Sequence, residues 1–219
     1  MLLILAISFA LAVVTPWIVD RFGPKTFYAL ALVPAGTFVA TAIALPTILD
    51  GGEIRETVPW IPALDIALSF RLDALSVVLA LVVSGVGALV LAYCASYFSR
   101  DEPSLGRFAA LLSAFAGVMY GLVTADDVII LFVFWEATSV LSFLLIGFHA
   151  DSPHARRSAL MSLRVTAGGG LALHAAILLI DSEDHSFLIG VEHLRATVAA
   201  MLQYEKLIHC NHSHAACSG

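Results

Sequence analysis

Six long apolar stretches constrain the fold of this chain more than any other feature. They cover approximately residues 2–19, 27–49, 73–98, 105–125, 128–148 and 160–180. A helix needs about 20 mostly apolar residues to cross about 30 Å of hydrocarbon, and each stretch is close to that length. The sequence therefore predicts an all-α, polytopic integral membrane protein with about six transmembrane helices.

Composition excludes most other classes of protein. Of the 219 residues, 60% are hydrophobic and 13% are charged, against roughly 45–50% and 25% in soluble domains. The formal net charge of −6 argues against a nucleic-acid partner, which requires a clustered basic face. Three cysteines are too few for a disulfide scaffold. We expect the lipid bilayer to be the main surroundings of the chain.

The chain divides into an apolar part and a polar part. Residues 1–180 hold the six stretches, whereas residues 181–219 form a polar tail that we expect to be poorly ordered. Residues 50–72 form the one sizeable internal loop, and we expect this loop to lie on the membrane interface because of its Pro-Trp-Ile-Pro segment at 59–62.

Positive residues predict the orientation, because lysine and arginine are retained on the cytoplasmic side. The poorer side of the predicted topology has Arg55 and Arg71 and, in the tail, Arg195 and Lys206. The richer side, with Arg164 near it, carries Arg21, Lys25, Arg100, Arg107, Arg156 and Arg157. The N-terminus is therefore expected outside the cell membrane. We interpret the first stretch as a retained helix, because no basic segment precedes it as in a signal peptide.

Glu136 interrupts the fifth stretch about 12 Å from its start, near the middle of the membrane. An ionised carboxylate there costs several kcal/mol or more, so Glu136 is expected to be protonated or to face water or a cation within a helix bundle. Either condition suits a proton carrier. The alternative is a structural carboxylate hydrogen-bonded between helices. The six stretches contain no lysine, since the two lysines are Lys25 and Lys206.

Four sequence segments, in order along the chain, resemble a known family. The chain is similar to the large antiporter-like subunit of Mrp-type multisubunit Na⁺/H⁺ antiporters, which is related to the proton-pumping membrane subunits of respiratory complex I. The matching segments are FRLDALS at 70–76, LFVFWEATS at 131–139, SFLLIGF at 142–148 and VTAGGGLAL at 165–173.

The resemblance implies a role for Glu136 as the fifth-helix glutamate of a proton path. In the family this glutamate pairs with a lysine on a broken seventh helix. Asp73, Trp135 and Ser139 belong to the matching motifs, so the resemblance implies a supporting role for them. It also implies other membrane subunits as partners and Na⁺ and H⁺ as transported ions. We interpret the chain as the N-terminal portion of a longer subunit, apparently truncated, with a tail unrelated to the family.

Other polar residues are interpreted more conservatively. Asp126 and Asp127 precede the fifth stretch and Asp73 opens the third, where carboxylates cap helix N-termini; capping is favoured over ion capture. His174 lies within the sixth stretch, where a histidine can relay protons, although a hydrogen-bonded packing role is favoured. His174 and Arg164 also depart from the family pattern, which generally has apolar residues at both positions.

The tail contains imidazole and thiol groups that are weak candidates for a metal site, and incidental affinity is favoured over a physiological one. These are His209, Cys210, His212, His214 and Cys217. No arrangement typical of covalent catalysis or dinucleotide binding is present in the sequence. We therefore expect a transporter subunit rather than an enzyme, with no cofactor.

Three functions remain open from the sequence. The first is a subunit of a monovalent cation/proton antiporter that contributes a buried glutamate to a transmembrane proton path. The second is a membrane proton-pumping subunit of an NADH-quinone oxidoreductase, in which the redox chemistry lies in other subunits. The third is a structural or nonfunctional fragment that conducts no protons.

Overall fold

A computed structural model of the chain describes residues 1–61, 66–99, 104–148 and 153–180. The chain divides into two compact units, Met1–Ala167 and Gly168–Gly219. The elements in chain order are α1 (Leu2–Phe22), α2 (Thr26–Leu49), β1 (Ile54–Ile61), β2 (Ile66–Leu72), α3 (Ala74–Tyr97), α4 (Leu105–Thr124), α5 (Val128–Ile146) and α6 (Pro153–Ile180).

The predicted membrane helices are confirmed for the first five stretches. Within the described residues, α1 to α5 are long and apolar enough to cross a membrane. The sixth helix begins at Pro153 rather than near residue 160, because proline suits the first position of a helix, where its missing N–H is not needed. Its first turns therefore include Arg156 and Arg157, and it is not among the five spanning candidates.

The outer surface of the bundle is apolar, and serine and threonine hydroxyls are buried inside it, as expected of a protein surrounded by lipid. Large aliphatic side chains such as Leu3, Val13 and Leu89 are exposed, whereas Thr15 and Thr124 are fully buried. Each of these two threonines donates its hydroxyl proton to the carbonyl four residues earlier in its own helix. Such bonds satisfy a polar group without a partner from another helix.

Small residues on α4 allow its neighbours to approach closely. A Cβ atom added at Gly106 would lie 2.8 Å from the Pro16 carbonyl oxygen, and one at Gly117 would lie 2.8 Å from the Ser8 Cβ. Both contacts are with α1. On another side of α4, a Cβ atom at Gly121 would overlap the ring of Phe134 on α5. Glycine at these positions therefore fixes the packing of α1 and α5 against α4.

Two apolar clusters occupy opposite ends of the bundle. The first packs under the strands and contains Leu5, Ile48, Phe70, Leu72, Val77, Ala80, Tyr120 and Ile130. The second lies near the α1–α2 turn and contains Val19, Phe27, Leu30, Ala31, Leu91, Cys94, Leu105 and Ala109. Cys94 is free and buried, in agreement with its apolar surroundings.

Residues 50–72, expected to form a loop, contain an antiparallel β-hairpin, β1–β2. Arg55 pairs with Arg71 and Glu56 with Phe70 in its register. The residues of β2 alternate between apolar and polar or small side chains, which is typical of a half-buried strand. Phe70 is accordingly buried, with its ring edge-on to Phe134 of α5. The all-α class is correct for the bundle, and the hairpin is an addition to it.

Candidate functional site

The position of Glu136 is set by the start of α5. Asp127 is the N-cap residue of this helix, and its Oδ1 accepts hydrogen bonds from the backbone N–H groups of Ile129 at 2.8 Å and Ile130 at 3.3 Å. The helix has 19 residues and begins at Val128. Glu136 therefore lies near the middle of the helix.

Glu136 is half-buried and has two polar neighbours within one helical turn. Ser139 is only 3% exposed and donates its hydroxyl proton to the Trp135 carbonyl at 3.2 Å. The indole Nε1 of Trp135 is buried and has no hydrogen-bond partner among the described residues. A carboxyl group, a hydroxyl oxygen and an N–H donor thus share one segment in the middle of a membrane helix.

These three groups differ in what they can do chemically. The carboxyl of Glu136 can take up and release a proton, the Trp135 indole can only donate a hydrogen bond, and the Ser139 oxygen can still accept one.

The rotation of α5 about its axis is fixed by aromatic packing. The Phe134 ring lies against Gly121 of α4 and is T-shaped to Phe70 of β2, with ring centroids 5.9 Å apart. Phe134 is two residues from Glu136 in the chain. The same contacts that hold α5 therefore also determine which way the carboxyl-bearing face of the helix turns.

Charged residues gather where the hairpin meets the α4–α5 connection, in a group that we call the arginine–aspartate cluster: Arg55, Arg71, Asp73, Asp126 and Glu53. Arg55 Nη2 lies 2.7 Å from Asp126 Oδ2, and Arg71 Nε lies 3.0 Å from Asp126 Oδ1. Arg71 also approaches Asp73 at 3.3 Å and Glu53 at 3.8 Å. One carboxylate thus joins both strands to the start of α5.

The capping prediction is confirmed for Asp127 and Asp73 but is wrong for Asp126. The Asp126 carboxylate binds the two arginines, and its backbone N–H donates to the Ser69 carbonyl at 3.0 Å. Sequence reasoning placed Arg55 and Arg71 only as topology markers. The strand alternation was the signal for their proximity, because the hairpin register pairs the two residues directly.

A second ionic contact ties the hairpin to α1. The N-terminal amino group forms an ion pair with Glu56, and the backbone N–H of Leu2 donates to the same carboxylate oxygen at 2.8 Å. The hydrogen bond from the amino group, followed by that from Leu2, lowers the pKa of Glu56. The hairpin is therefore held by charges at both α1 and α5.

Asp73 forms a capping box at the start of α3. Its Oδ1 accepts from the Ser76 backbone N–H at 2.8 Å, while the Ser76 hydroxyl oxygen accepts from the Asp73 N–H at 2.7 Å. Hydrogen bonds from the Ser76 backbone and hydroxyl, together with the positive charge of Arg71, lower the pKa of Asp73. The charged form of Asp73 is thus the form that the folded chain prefers.

We expect Asp73→Ala to destabilise the chain by about 1 kcal/mol, the usual cost of losing an N-cap. A carboxyl whose pKa is lower in the folded state stabilises the fold above its unfolded pKa of about 3.9, and this contribution is lost as the pH falls further. The gap in melting temperature between wild type and variant should therefore narrow below about pH 4. Asp73→Asn keeps a capping oxygen and is the matched control; an equal loss in both variants would contradict the cap.

The remaining sequence candidates lie partly outside the described residues. His174 is on α6, but its side chain is not described, and its role as a proton relay stays a prediction. The tail candidates His209, Cys210, His212, His214 and Cys217 all fall outside the described ranges. Within those ranges, no group of three histidine, cysteine or acidic residues is arranged to hold a metal ion.

Comparison with protein families gives two matches. Residues 60–109 match the N-terminal region of chain 5 of NADH-ubiquinone oxidoreductase (complex I). Residues 125–209 match the transmembrane region of NADH:quinone oxidoreductase and Mrp antiporter subunits. The second match contains Glu136 and continues past residue 180, the domain boundary placed from composition.

Individual relatives agree with these two family matches. A protein of Rhizobium meliloti, named as a subunit of a probable K⁺/H⁺ antiporter, is 36% identical over 181 residues, which is 83% of this chain and 17% of the relative. A Na⁺/H⁺ antiporter subunit of Staphylococcus aureus is 38% identical over 157 residues, 72% of this chain and 20% of the relative. The chain belongs to the family of the large Mrp antiporter subunit. It spans about a fifth of the length of these relatives.

Solved structures agree with this family and its fold. The Mrp complex from Dietzia sp. DQ12-45-1b contains a chain that is 36% identical, with a TM-score of 0.71 over 81% of this chain and 19% of that one. A chain of the membrane-bound sulfane sulfur reductase, an archaeal respiratory membrane complex, matches with a TM-score of 0.53 at 17% identity, over 78% of this chain and 36% of that one. The second likeness shows the fold alone.

Proposed function

We propose that this chain is part of a monovalent cation/proton antiporter and contributes Glu136 to its transmembrane proton path. The observation that carries the proposal is a titratable carboxyl near the middle of a membrane helix, within one turn of a buried Ser139 hydroxyl and a buried Trp135 indole N–H. Membership of the Mrp antiporter family gives the reaction in which such a carboxyl would take part.

The proposed mechanism uses alternation of Glu136 between its protonated and ionised forms. The neutral form is favoured while the carboxyl faces apolar groups, and the ionised form is favoured when water or a cation reaches it. Each change of surroundings would bind or release one proton at the carboxyl oxygens. Coupling of these changes to cation movement in the opposite direction would export Na⁺ or K⁺.

The names of the relatives support a proposal for the transported cation and for the partners of this chain. The Staphylococcus aureus relative is named for Na⁺/H⁺ antiport and the Rhizobium meliloti relative for K⁺/H⁺ antiport. We therefore propose a monovalent alkali cation as the counter-ion. Because both relatives are named as subunits, we also propose that the chain works with other membrane subunits in the cell membrane.

The test measures proton movement in everted membrane vesicles that contain the chain together with the other subunits of its complex. Addition of NaCl or KCl to vesicles with an established proton gradient is expected to dissipate the gradient, and choline chloride is the control. A gradient that responds to NADH oxidation but to neither cation would support the respiratory alternative instead. A gradient that responds to none of these would contradict the transport function.

We also propose that the hairpin faces the outside of the cell. More lysine and arginine residues lie toward the end of the bundle opposite the hairpin, where the α1–α2 turn carries Lys25. Such residues are retained on the cytoplasmic side. In a cysteine-free background, Glu53→Cys should react with a membrane-impermeant maleimide added to intact cells, and Lys25→Cys should react only after the cells are opened. The reverse pattern would invert the topology.

A further inference from the structure

A small cavity lies inside the α1–α4 bundle, between the two apolar clusters. It has a volume of about 20 Å³ and is lined by residues of all four helices. Space of about 10–15 Å³ is enough for one water molecule, provided that two to four polar groups surround it. Leu30 and Leu91 of one cluster and Tyr120 of the other also line this cavity, so it lies between the two clusters.

The lining includes a hydroxyl that lacks a partner. Ser113 of α4 is only 7% exposed, and its Oγ has no hydrogen-bond partner in the part of the chain that the structure describes. A buried hydroxyl without a partner is unfavourable, because it has given up its hydrogen bonds to water without gaining a new one. This cost is removed if an acceptor occupies the cavity beside Ser113.

Three other serine and threonine hydroxyls among the lining residues can accept hydrogen bonds. Ser8, Thr37 and Ser84 donate their protons to carbonyls four residues earlier in their own helices, at 2.8, 3.0 and 2.6 Å. A hydroxyl oxygen that has donated its proton keeps two lone pairs. The lining therefore offers one unused donor and several acceptors, which is the complement of a molecule with two O–H donors and one acceptor oxygen.

We propose that this cavity binds one water molecule, which accepts the Ser113 hydroxyl proton and donates to hydroxyl oxygens among Ser8, Thr37 and Ser84. A sodium ion is less suited, because no acidic side chain lines the cavity among the described residues and the Ser113 proton would still lack an acceptor. The water cross-links α4 to the helices that carry its acceptors. It is separate from Glu136, which is on α5 and does not line the cavity.

A density map that resolves ordered water gives the first test, with the chain imaged in its complex. We expect a peak within hydrogen-bond distance of Ser113 Oγ and of at least one of the three accepting hydroxyls. A Ser113→Ala map should show this peak weakened or absent. An empty cavity in a wild-type map that resolves other buried waters at the same depth would overturn the proposal.

The sign of a stability change gives the second test. With water bound, Ser113→Ala removes a satisfied hydrogen bond and should lower the apparent melting temperature of the full chain in detergent by about 2–4 °C. With an empty cavity, the same change removes an unpaired hydroxyl, and the melting temperature should stay the same or rise. Either of those outcomes would overturn the proposal.

Two controls distinguish a bound water from a bound cation and from the simple loss of a hydroxyl. Thr15→Val removes a buried hydroxyl that bonds within α1 at 2.7 Å and does not line the cavity, so it measures the cost of losing a hydroxyl alone. Melting in NaCl is compared with melting in choline chloride at equal concentration. Equal melting temperatures support water, and selective stabilisation by NaCl that is lost in Ser113→Ala would show a cation instead.

Discussion

Glu136→Gln is expected to reduce cation-driven proton movement to the background of vesicles that lack the complex. Glutamine has nearly the same size and can hydrogen-bond, but it cannot take up and release a proton at neutral pH. The variant therefore removes the titration of the site and keeps its packing near Ser139 and Trp135. Glu136→Asp retains a titratable carboxyl one methylene shorter, and we expect it to keep part of the flux.

Glu53→Gln is the matched control for that experiment. It makes the same chemical change on the hairpin side of the bundle, at a side chain that is 58% exposed and lies 3.8 Å from Arg71. We expect nearly normal flux, since an exposed ion pair at this distance contributes little. Equal amounts of assembled complex must be present in all vesicles. Undiminished flux in Glu136→Gln would show that Glu136 is not part of the proton path, and the family assignment would still hold.

Asp126→Asn is expected to cause the largest loss of stability of any single change in the arginine–aspartate cluster. The Asp126 side chain is 12% exposed and binds Arg55 and Arg71 at once. Neutralising it leaves two guanidinium groups without their shared carboxylate, and charged hydrogen bonds of this kind contribute about 1–3 kcal/mol. The expected loss does not exceed that range, because both arginines are partly exposed to solvent.

The adjacent Asp127→Asn gives a control of the same chemistry one residue away. Asparagine caps helices about as well as aspartate, so the Ile129 and Ile130 N–H groups keep an acceptor and stability should change little. The measurement is the melting temperature of the purified chain at low and high salt. High salt should reduce the difference in melting temperature between wild type and Asp126→Asn, because it screens the attraction between Asp126 and the two arginines. Equal losses in both variants would contradict a special role for Asp126.

The helices could be predicted from the sequence because length and apolarity are properties of each segment alone. Asp73 and Asp127 were predictable as caps for the same reason, since a cap acts within three residues of its own helix. Asp126 was not predictable in this way. Its role depends on Arg55 and Arg71, which reach it only through the fold of the hairpin.

The candidate site also has some features that are local in the sequence and others that depend on the fold. Glu136 stands out in the sequence because a carboxylate in an apolar helix is costly wherever the other helices lie. The packing of Phe134 against Gly121 and Phe70 involves three separate elements, and the hydroxyl-lined cavity involves four helices. In the sequence, Ser8, Ser84 and Ser113 are ordinary small polar residues, and only the assembled bundle brings them together.

Strand β2 is bonded not only to β1 but also to the connection between α4 and α5, through the Asp126 N–H to Ser69 and a bridge between Phe70 and Ala125. These partners are more than 50 residues apart in the chain. During synthesis, β1 and β2 can pair as soon as both have emerged, but this outer pairing must wait until α3 and α4 have entered the membrane. The β1–β2 pairing is therefore local, whereas the pairing of β2 with the α4–α5 connection joins segments that are distant in the chain and needs the intervening helices to be present.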